Sequence, residues 1–278
     1  MINFIKNETP IIICDIGASP IDKTDFIDEL FNNTKSKIIG FEPNKDEFIK
    51  LEKNNEKKHY YNYAIGDGSE KILNICKGAG MTSFLEPDLN YLKNFEWFNI
   101  NSEIIKREKV KTKKLDDLNE KIDFLKIDVQ GYESEVIKYG KEKIKNSLIV
   151  QLETSPIPLY KNEKTFPHIV LELEKLDFSL HMFNKVNTKP FKPMKVNNSI
   201  FMGINHLFQL DCVMIKNLNK IDSLSKEEII KMILIMFYSF KSYDLVDYLI
   251  SEMDKRFDSN FLEQYRKMSS SFKILKKY

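Results

Sequence analysis

The sequence predicts an α/β fold built on a mostly parallel β-sheet. The first two-thirds alternates short runs rich in β-forming residues with stretches of helical periodicity, which is typical of a parallel sheet with helices on both faces. Residues 11–14 and 148–150 are apolar at consecutive positions, as expected of central strands buried on both faces. With 278 residues and 42% hydrophobic side chains, the chain can build the core of a large α/β domain.

Seven segments are predicted as strands: 11–16, 37–42, 59–65, 123–129, 147–153, 178–184 and 210–216. Helical periodicity is found at 22–33, 45–56, 133–145 and 165–177. Residues 70–118 interrupt the alternation with an extra strand, a turn-rich segment and an aromatic segment. We interpret them as an excursion over the rim of the sheet, where acceptor-binding loops tend to lie. A second polar loop is predicted at 187–206.

The character of the chain changes after residue 217, where two or three helices are predicted. The first is apolar almost all round, which indicates a buried helix. We therefore predict a main domain over residues 1–217 and a C-terminal helical extension over 218–278. The extension is interpreted as a cap on the main domain, with a homodimerisation or docking surface as the alternative.

Composition excludes some classes of partner. The chain carries 43 basic and 41 acidic side chains, and a net charge of +2 gives no electrostatic reason to expect a nucleic-acid partner. Its three cysteines have no metal-ligand or redox spacing. The first residues do not form a signal sequence, and the longest apolar run, 232–238, is too short to span a bilayer. We expect a cytoplasmic protein without a membrane span.

Polar side chains follow each of the first five predicted strands. They are Asp15 with Gly17, then Glu42, Asp67, Asp128 and Glu153. Each alone has an ordinary structural interpretation, such as a turn cap or a hairpin turn. Because ligands of open α/β sheets bind at the carboxyl ends of strands, five acids there predict one small-molecule crevice. Their convergence does not distinguish NAD from other adenosine ligands.

Several motifs occur in an order that identifies a family. They are IIICDIGAS, KIIGFEPN, YAIGDG, GMTSFLEPD, VKTKKLDDL, DFLKIDVQGYESEVIKYG and SLIVQLETSPIPLY. Over about residues 10–216 the chain resembles the FkbM-type methyltransferases, a group of class I S-adenosylmethionine (SAM)-dependent methyltransferases. DFLKIDVQGYE, preceded by KLDDL, is the most specific of these stretches. The resemblance implies a Rossmann-like sheet with an antiparallel last strand, and SAM as the cofactor.

The resemblance also implies a set of SAM-binding positions. The methionine part of SAM is expected at the loop of Asp15, Gly17, Ala18 and Ser19, the ribose hydroxyls at Glu42, the adenine ring at Ala64, Ile65 and Asp67, and the methyl donor and acceptor at Asp128. The family commonly has a further glycine where this chain has Ser19 and Pro20. Proline makes the loop stiffer, so Ser19 or the N–H groups at a helix start become candidates for binding the SAM carboxylate.

The leading hypothesis for the reaction is methyl transfer to a hydroxyl of a sugar, polysaccharide precursor or related metabolite. The candidate bases are Asp128, Glu153, His168 and His181, although His181 fits a packed core histidine at least as well. Asp128 and Glu153 end adjacent strands and could share Mg²⁺, but no spacing shows this and metal use is not favoured.

Two loop features have functional and structural interpretations. Residues 80–83 form a polar turn that could close over the donor, or an ordinary glycine-rich loop. The aromatic side chains of residues 91–98 have two interpretations, stacking on a sugar ring or packing of a helix face.

Two further readings compete with this hypothesis. An NAD(P)-binding oxidoreductase or epimerase would share the acid after the second strand, but it needs a glycine-rich pyrophosphate loop that residues 16–22 do not provide. A non-catalytic binding module with a methyltransferase-like fold is the third reading, because the family glycine is absent.

Overall fold

The computed structural model of the chain describes residues 2–20, 25–51 and 53–269. The chain forms two compact units. The larger comprises Ile12–Lys23 and Ile38–Leu218, and the smaller comprises Met1–Ile11, Thr24–Lys37 and Asn219–Tyr278.

Strands and helices alternate through the larger unit, as the sequence predicts. The strands are β1 (Ile11–Ile16), β2 (Ser36–Phe41), β3 (Lys58–Tyr61), β4 (Ala64–Ile65), β5 (Glu70–Cys76), β6 (Ile104–Lys113), β7 (Phe124–Ile127), β8 (Ile149–Thr154), β9 (Phe178–Thr188) and β10 (Leu207–Lys216). The α-helices are α1 (Asp25–Asn33), α2 (Lys45–Phe48), α3 (Leu89–Leu92), α4 (Glu96–Asn101), α5 (Glu133–Lys138), α6 (Lys141–Lys145), α7 (Phe166–Glu174), α8 (Lys226–Tyr238), α9 (Tyr243–Phe257) and α10 (Leu262–Ser269). Short 3₁₀-helices lie at Ala79–Met81, Leu115–Asp117 and Leu218–Ser223.

The main sheet has seven strands in the order β3-β2-β1-β7-β8-β10-β9. β7 is parallel to both β1 and β8, and β2 is parallel to β3. β10 is antiparallel to β8 and β9, which confirms the predicted antiparallel last strand. The strand order reverses between β1 and β7, and such a switch point is where open α/β sheets bind ligands.

The core of the larger unit lies on the faces of this sheet. Side chains of β1, β7 and β8 are buried at nearly every position, as their consecutive apolar residues predict. They pack with α5 and α7 residues such as Val136 and Ile169. Cys14 belongs to the same core, and all three cysteines are buried and free.

Some elements differ from the prediction. The predicted strand 59–65 is divided into β3 and β4, because the Asn62 side chain between them donates hydrogen bonds to the carbonyl groups of Glu42 and Pro43. The predicted helix 45–56 is only the short α2, and the predicted helix 133–145 is divided at Gly140 into α5 and α6. The excursion adds the unpredicted β6, which joins β4 and β5 in a three-stranded sheet. The start of the predicted helix 22–33 lies outside the described residues.

The smaller unit contains α1, α8, α9 and α10. α8 is buried along almost its whole length, as predicted, and begins with a capping box between Ser225 and Glu228. Lys231 of α8 donates a hydrogen bond to the Pro10 carbonyl at 3.0 Å. The N-terminal segment and α1 therefore share a unit with the C-terminal helices, whereas the domain boundary after residue 217 stays a prediction.

Over the described ranges, no helix is both long and apolar enough to cross a membrane. Dimerisation through the C-terminal helices and a cytoplasmic location stay predictions.

Candidate active site

A cleft opens in the larger unit at the carboxyl ends of β1, β2 and β7. The space between its walls is about 730 Å³, which includes solvent at the open mouth. Its lining residues are Ile16, Gly17, Ser19, Phe41, Glu42, Pro43, Asn44, Glu47, Ala64, Ile65, Leu73, Ala79, Gly80, Thr82, Ser83, Phe84, Asp128, Val129 and Gln130. The predicted convergence of strand ends is therefore present for the first, second and fourth predicted strands.

The loop after β1 is fixed by its backbone. Gly17 has a φ of +83°, and a Cβ atom there would lie 1.8 Å from the carbonyl oxygen of Asp128. The N–H groups of Gly17 and Ala18 both donate to the Phe41 carbonyl, at 2.9 and 3.0 Å. The Asp128 N–H in turn donates to the Ile16 carbonyl at 2.9 Å. Because the two chain segments touch here, only glycine fits at position 17.

Asp15 lies beneath this loop and is paired with a buried lysine. Lys126 Nζ donates to Asp15 Oδ1 at 3.1 Å and lies 3.6 Å from Asp128 Oδ2. Burial raises the pKa of Asp15, and the charge of Lys126 opposes that rise. Asp15 does not line the cleft, so its carboxylate acts on the loop through Lys126. A lysine inside the apolar β7 was the sequence signal for this pair, and sequence reasoning missed it.

Glu42 at the end of β2 places a buried carboxylate in the cleft wall. Its Oε1 accepts the Asn44 N–H at 2.7 Å, while Oε2 is in no hydrogen bond with the described residues. Burial raises the pKa of Glu42 to about 7; the Asn44 N–H opposes the rise and nearby Glu47 adds to it. Near neutral pH this carboxylate can change its charge and accept hydrogen bonds from a ligand.

Gln130 connects the acids that follow β7 and end β8. Its Nε2 donates to Asp128 Oδ1 at 2.9 Å and to Glu153 Oε2 at 2.7 Å. Its Oε1 accepts the Tyr160 hydroxyl at 3.1 Å, and its carbonyl accepts the Ser83 hydroxyl at 2.7 Å. Its φ of +54° is unusual for a residue other than glycine. Four contacts therefore hold Gln130 in an uncommon conformation at the cleft, and we had not predicted its role.

Glu133 fastens the turn that carries Gln130. Its Oε1 accepts the N–H groups of Val129 and Gly131, at 3.2 and 3.1 Å. Its Oε2 is buried and has no hydrogen-bond partner among the described residues, and burial raises the pKa of Glu133 to about 8. A carboxyl group in such a place is stabilised in its protonated form at neutral pH.

Only some of the other predicted site residues line the cleft. Ser19, Ala64 and Ile65 line the cleft, whereas Asp67 does not. The Asp67 carboxylate is held in its own turn, where it accepts hydrogen bonds from Ser69 and pairs with Lys71 at 2.6 Å. Its predicted place at the adenine ring stays a prediction.

The two candidate histidines do not line the cleft. His181 is half-buried in β9, the outermost strand of the sheet, and His168 is exposed on α7. Ser83 and its neighbours from the predicted turn do line the cleft. Phe95 and Phe98 of the aromatic segment are buried against Phe208, as in the packing interpretation.

Among the residues that the structure describes, no group of three or more His, Cys, Asp or Glu side chains is arranged to hold a metal ion. Gln130 Nε2 donates a hydrogen bond to one carboxylate oxygen of Asp128 and to one of Glu153. Those oxygens therefore face an N–H donor rather than a shared cation. The Mg²⁺ hypothesis stays a prediction that is not favoured.

The strand order of the main sheet is that of the Rossmann-like class I methyltransferases. A family model described as the methyltransferase FkbM domain matches residues 15–180. The chain belongs to the FkbM methyltransferase family and is a SAM-dependent methyltransferase. This result decides against the nicotinamide-dependent alternative.

Individual relatives have low sequence identity. The 2-O-methyltransferase NoeI of Sinorhizobium fredii (strain NBRC 101917 / NGR234) is 26% identical over 178 residues, which cover 59% of this chain and 70% of that protein. Magnesium protoporphyrin IX methyltransferase (ChlM) from Synechocystis PCC 6803, solved with bound SAM, matches with a TM-score of 0.39 and 8% identity, over 74% of this chain and 70% of that one. A TehB-like SAM-dependent methyltransferase from Corynebacterium glutamicum ATCC 13032 matches with a TM-score of 0.36 and 9% identity, over 75% of this chain and 82% of that one.

Proposed function

We propose that this protein transfers a methyl group from SAM to a hydroxyl of a sugar, polysaccharide precursor or related metabolite. The observation that carries the proposal is the Asp128 carboxylate in the cleft lining, which accepts a hydrogen bond from Gln130 Nε2, the same group that donates to Glu153. A carboxylate at this position can accept the proton that a hydroxyl loses as it is methylated. The name of the 26% identical relative, a 2-O-methyltransferase, agrees with a hydroxyl acceptor.

The cleft suits SAM in shape and in chemistry. Glu42 Oε2 can accept hydrogen bonds from a ribose diol, and the Gly17 turn lets backbone approach the ligand closely. Apolar Ile65, Leu73 and Phe84 supply walls for an adenine ring. When bound, SAM supplies a methyl group on a positively charged sulfur. The negative charge of the neighbouring carboxylates attracts this sulfur.

Asp128 is the proposed general base. Its Oδ1 is held by Gln130 Nε2, and its Oδ2 lies 3.6 Å from Lys126 Nζ. These two contacts fix the direction of the carboxylate, so that it can receive the hydroxyl proton while the acceptor is oriented. Glu153 accepts amide N–H groups from both Gln130 and Gln209 and so holds the Gln130 side chain in place.

The test separates cofactor binding from transfer. Wild-type protein, Asp128→Asn and Glu42→Gln would be measured for SAM affinity by calorimetry, and for transfer of labelled methyl to a panel of mono- and oligosaccharides. We expect Asp128→Asn to retain SAM affinity within a few-fold and to lose roughly 10²- to 10⁴-fold in transfer. Glu42→Gln should weaken SAM binding by about tenfold or more, because a hydrogen bond to a charged group is lost.

Glu70→Gln is the matched control, because this exposed carboxylate at the start of β5 does not line the cleft, and it should keep both SAM affinity and transfer. Retained transfer in Asp128→Asn would remove that residue as the base, and unchanged SAM affinity in Glu42→Gln would remove Glu42 from the cofactor site. Labelling of amines or thiols instead of hydroxyls in the panel would contradict the proposed acceptor class.

A further inference from the structure

The connection between β9 and β10 exposes an unusual set of side chains. Residues 185–207, here called the basic apolar loop, comprise the last four residues of β9, the connection and the first residue of β10. They contain four lysines and no aspartate or glutamate. Seven of the 16 large hydrophobic side chains exposed in the described structure lie in these 23 residues. They are Val186, Phe191, Met194, Phe201, Met202, Ile204 and Leu207, each between 43% and 60% exposed. Exposed apolar side chains concentrated in this way mark an interaction surface rather than ordinary scatter.

The loop has a defined backbone. The Lys192 N–H donates to the Asn94 carbonyl at 2.8 Å, and the Gly203 N–H donates to the Thr188 carbonyl at 3.2 Å. Val196 and Ser199 exchange two hydrogen bonds across Asn197 and Asn198, which have φ values of +50° and +59°. Both φ values are those of a tight hairpin turn. The apolar side chains are therefore presented to solvent by a structured segment.

Aromatic packing supports the loop from below. Phe191 stacks on Phe95 with ring centroids 4.9 Å apart, and His206 packs on the same ring at 5.6 Å. Lys189 Nζ lies 6.0 Å from the ring centroid of Phe98 and 5.7 Å from that of Phe201. The buried rings anchor the loop, while the outer part of Phe191 and the whole row around Phe201 stay exposed.

We propose that the basic apolar loop binds the surface of an anionic lipid bilayer. Large apolar side chains insert at the boundary between headgroups and acyl chains, and neighbouring lysines reach anionic headgroups with their ammonium groups. The loop has both parts: the exposed Lys185, Lys192 and Lys195 lie among the seven apolar side chains. The charge selects the partner, because each lysine near an anionic surface contributes separately to binding.

The acidic side chains near the loop do not cancel this charge. Glu96 lies 3.6 Å from Lys195. Burial, aided by nearby Lys185, lowers the pKa of Lys189, and Glu153 of the candidate site opposes that shift. Lys185 and Lys192 have no ion pair with a described residue, so their charges remain for headgroups. The loop packs on the aromatic cluster that also contains Met81 and Tyr160, and Tyr160 contacts Gln130 at the cleft. Surface binding would thus take place beside the candidate active site, although the proposal does not depend on the acceptor proposed above.

The experiment measures co-sedimentation of the full chain with vesicles of phosphatidylcholine alone and of phosphatidylcholine mixed with phosphatidylglycerol. We expect binding to the mixed vesicles, weakening with added salt, and much weaker binding to the neutral ones. Replacing two lysines in K185Q/K192Q should reduce binding by about 25-fold, at roughly fivefold for each lysine. The double variant F201S/M202S should reduce it by roughly tenfold.

Matched controls lie elsewhere in the same unit. Ile105→Ser and Leu171→Ser remove side chains that are 62% and 55% exposed on β6 and α7, and K77Q/K111Q removes two exposed lysines. These controls should bind vesicles as the wild type does, and melting temperatures would verify that every variant is folded. Absence of binding to the mixed vesicles, equal binding to neutral ones, or equal losses in the controls would overturn the proposal. If F201S/M202S instead changes the oligomeric mass and leaves vesicle binding intact, the surface is a protein interface and the proposal is wrong.

Discussion

The loops after β1 and β7 lie side by side at the cleft but obtain their shapes in different ways. The loop at Gly17 is determined by its backbone, through a positive φ and two N–H groups that share the Phe41 carbonyl. The turn at Gln130 is determined by side chains, since Gln130 and Glu133 together make five of the hydrogen bonds that hold it. The two loops meet where Gly17 lies against the carbonyl of Asp128.

This difference separates two tasks within one site. A loop defined by backbone leaves room for a ligand and tolerates no added atom, which suits a cofactor that must lie close to the chain. A turn defined by side chains can hold a carboxylate in a chosen direction, which suits proton transfer. Substitutions should therefore affect the first loop through steric volume and the second through loss of hydrogen bonds.

The largest effect is expected from Gly17→Ala. The added Cβ would lie 1.8 Å from the Asp128 carbonyl oxygen, and alanine disfavours a φ of +83°. We expect a loss of about 3 kcal/mol in the free energy of unfolding, from the backbone conformation and the overlap together. Urea denaturation monitored by circular dichroism would measure it, and calorimetry should detect no SAM binding.

Gly80→Ala is the control for this substitution. Gly80 also lines the cleft, but a Cβ atom there meets nothing within 4 Å. Its stability should stay within about 0.5 kcal/mol of the wild type. Similar stability losses in the two variants would show that the loop after β1 is not specially restricted by its backbone.

A smaller effect, on catalysis, is expected from Gln130→Leu. Leucine has a similar size but donates nothing to Asp128 and Glu153 and leaves the buried Tyr160 hydroxyl without its partner amide. We expect kcat to fall roughly tenfold to a hundredfold because the Asp128 carboxylate is no longer held in position. The SAM dissociation constant should change less than threefold, since the loop at Gly17 is intact.

Gln209→Leu removes one of the two amide donors to Glu153 and leaves the Asp128 contact in place. It should therefore keep kcat within about threefold of the wild type. If both glutamine variants lose equal activity, Gln130 does not act by positioning Asp128. If SAM affinity falls as much as kcat in Gln130→Leu, the two loops are not independent.

The sequence was sufficient to predict what depends on local pattern. Consecutive apolar runs predicted the central strands, and a chain of strand-end residues predicted that Gly17, Glu42 and Asp128 meet at one cleft. The predicted strand 59–65 was wrong in being continuous, because the Asn62 side chain bonds backbone groups 19 and 20 residues away in the sequence. These contacts depend on where β2 ends in space, which periodicity does not encode.

The role of Gln130 could not be predicted from local sequence pattern. Its partners Glu153, Tyr160 and Ser83 lie 23, 30 and 47 residues away, in three different segments. Lys126 was different, because a lysine within a strand buried at every position requires a charged partner. That signal was present in FLKID and indicated an acidic partner, which the structure identifies as Asp15.

The last prediction concerns the pH dependence of stability at Glu133. Burial raises the pKa of Glu133 to about 8, whereas the carboxyl of the unfolded chain titrates near its ordinary value of 4.5. Between these values the folded state keeps a proton that the unfolded state has released, so stability falls as pH rises, by at most about 1.4 kcal/mol per pH unit for this group.

Glu133→Gln resembles the protonated form and still accepts the N–H groups of Val129 and Gly131 through Oε1. Urea midpoints between pH 5 and 8 should therefore fall less steeply in Glu133→Gln than in the wild type. Glu135→Gln is the control, because Glu135 lies two residues further along α5 and is partly exposed, and its midpoints should follow the wild-type slope. Parallel slopes in all three proteins would mean that Glu133 is ionised in the folded protein, and the turn at Gln130 would then be held by a charged carboxylate.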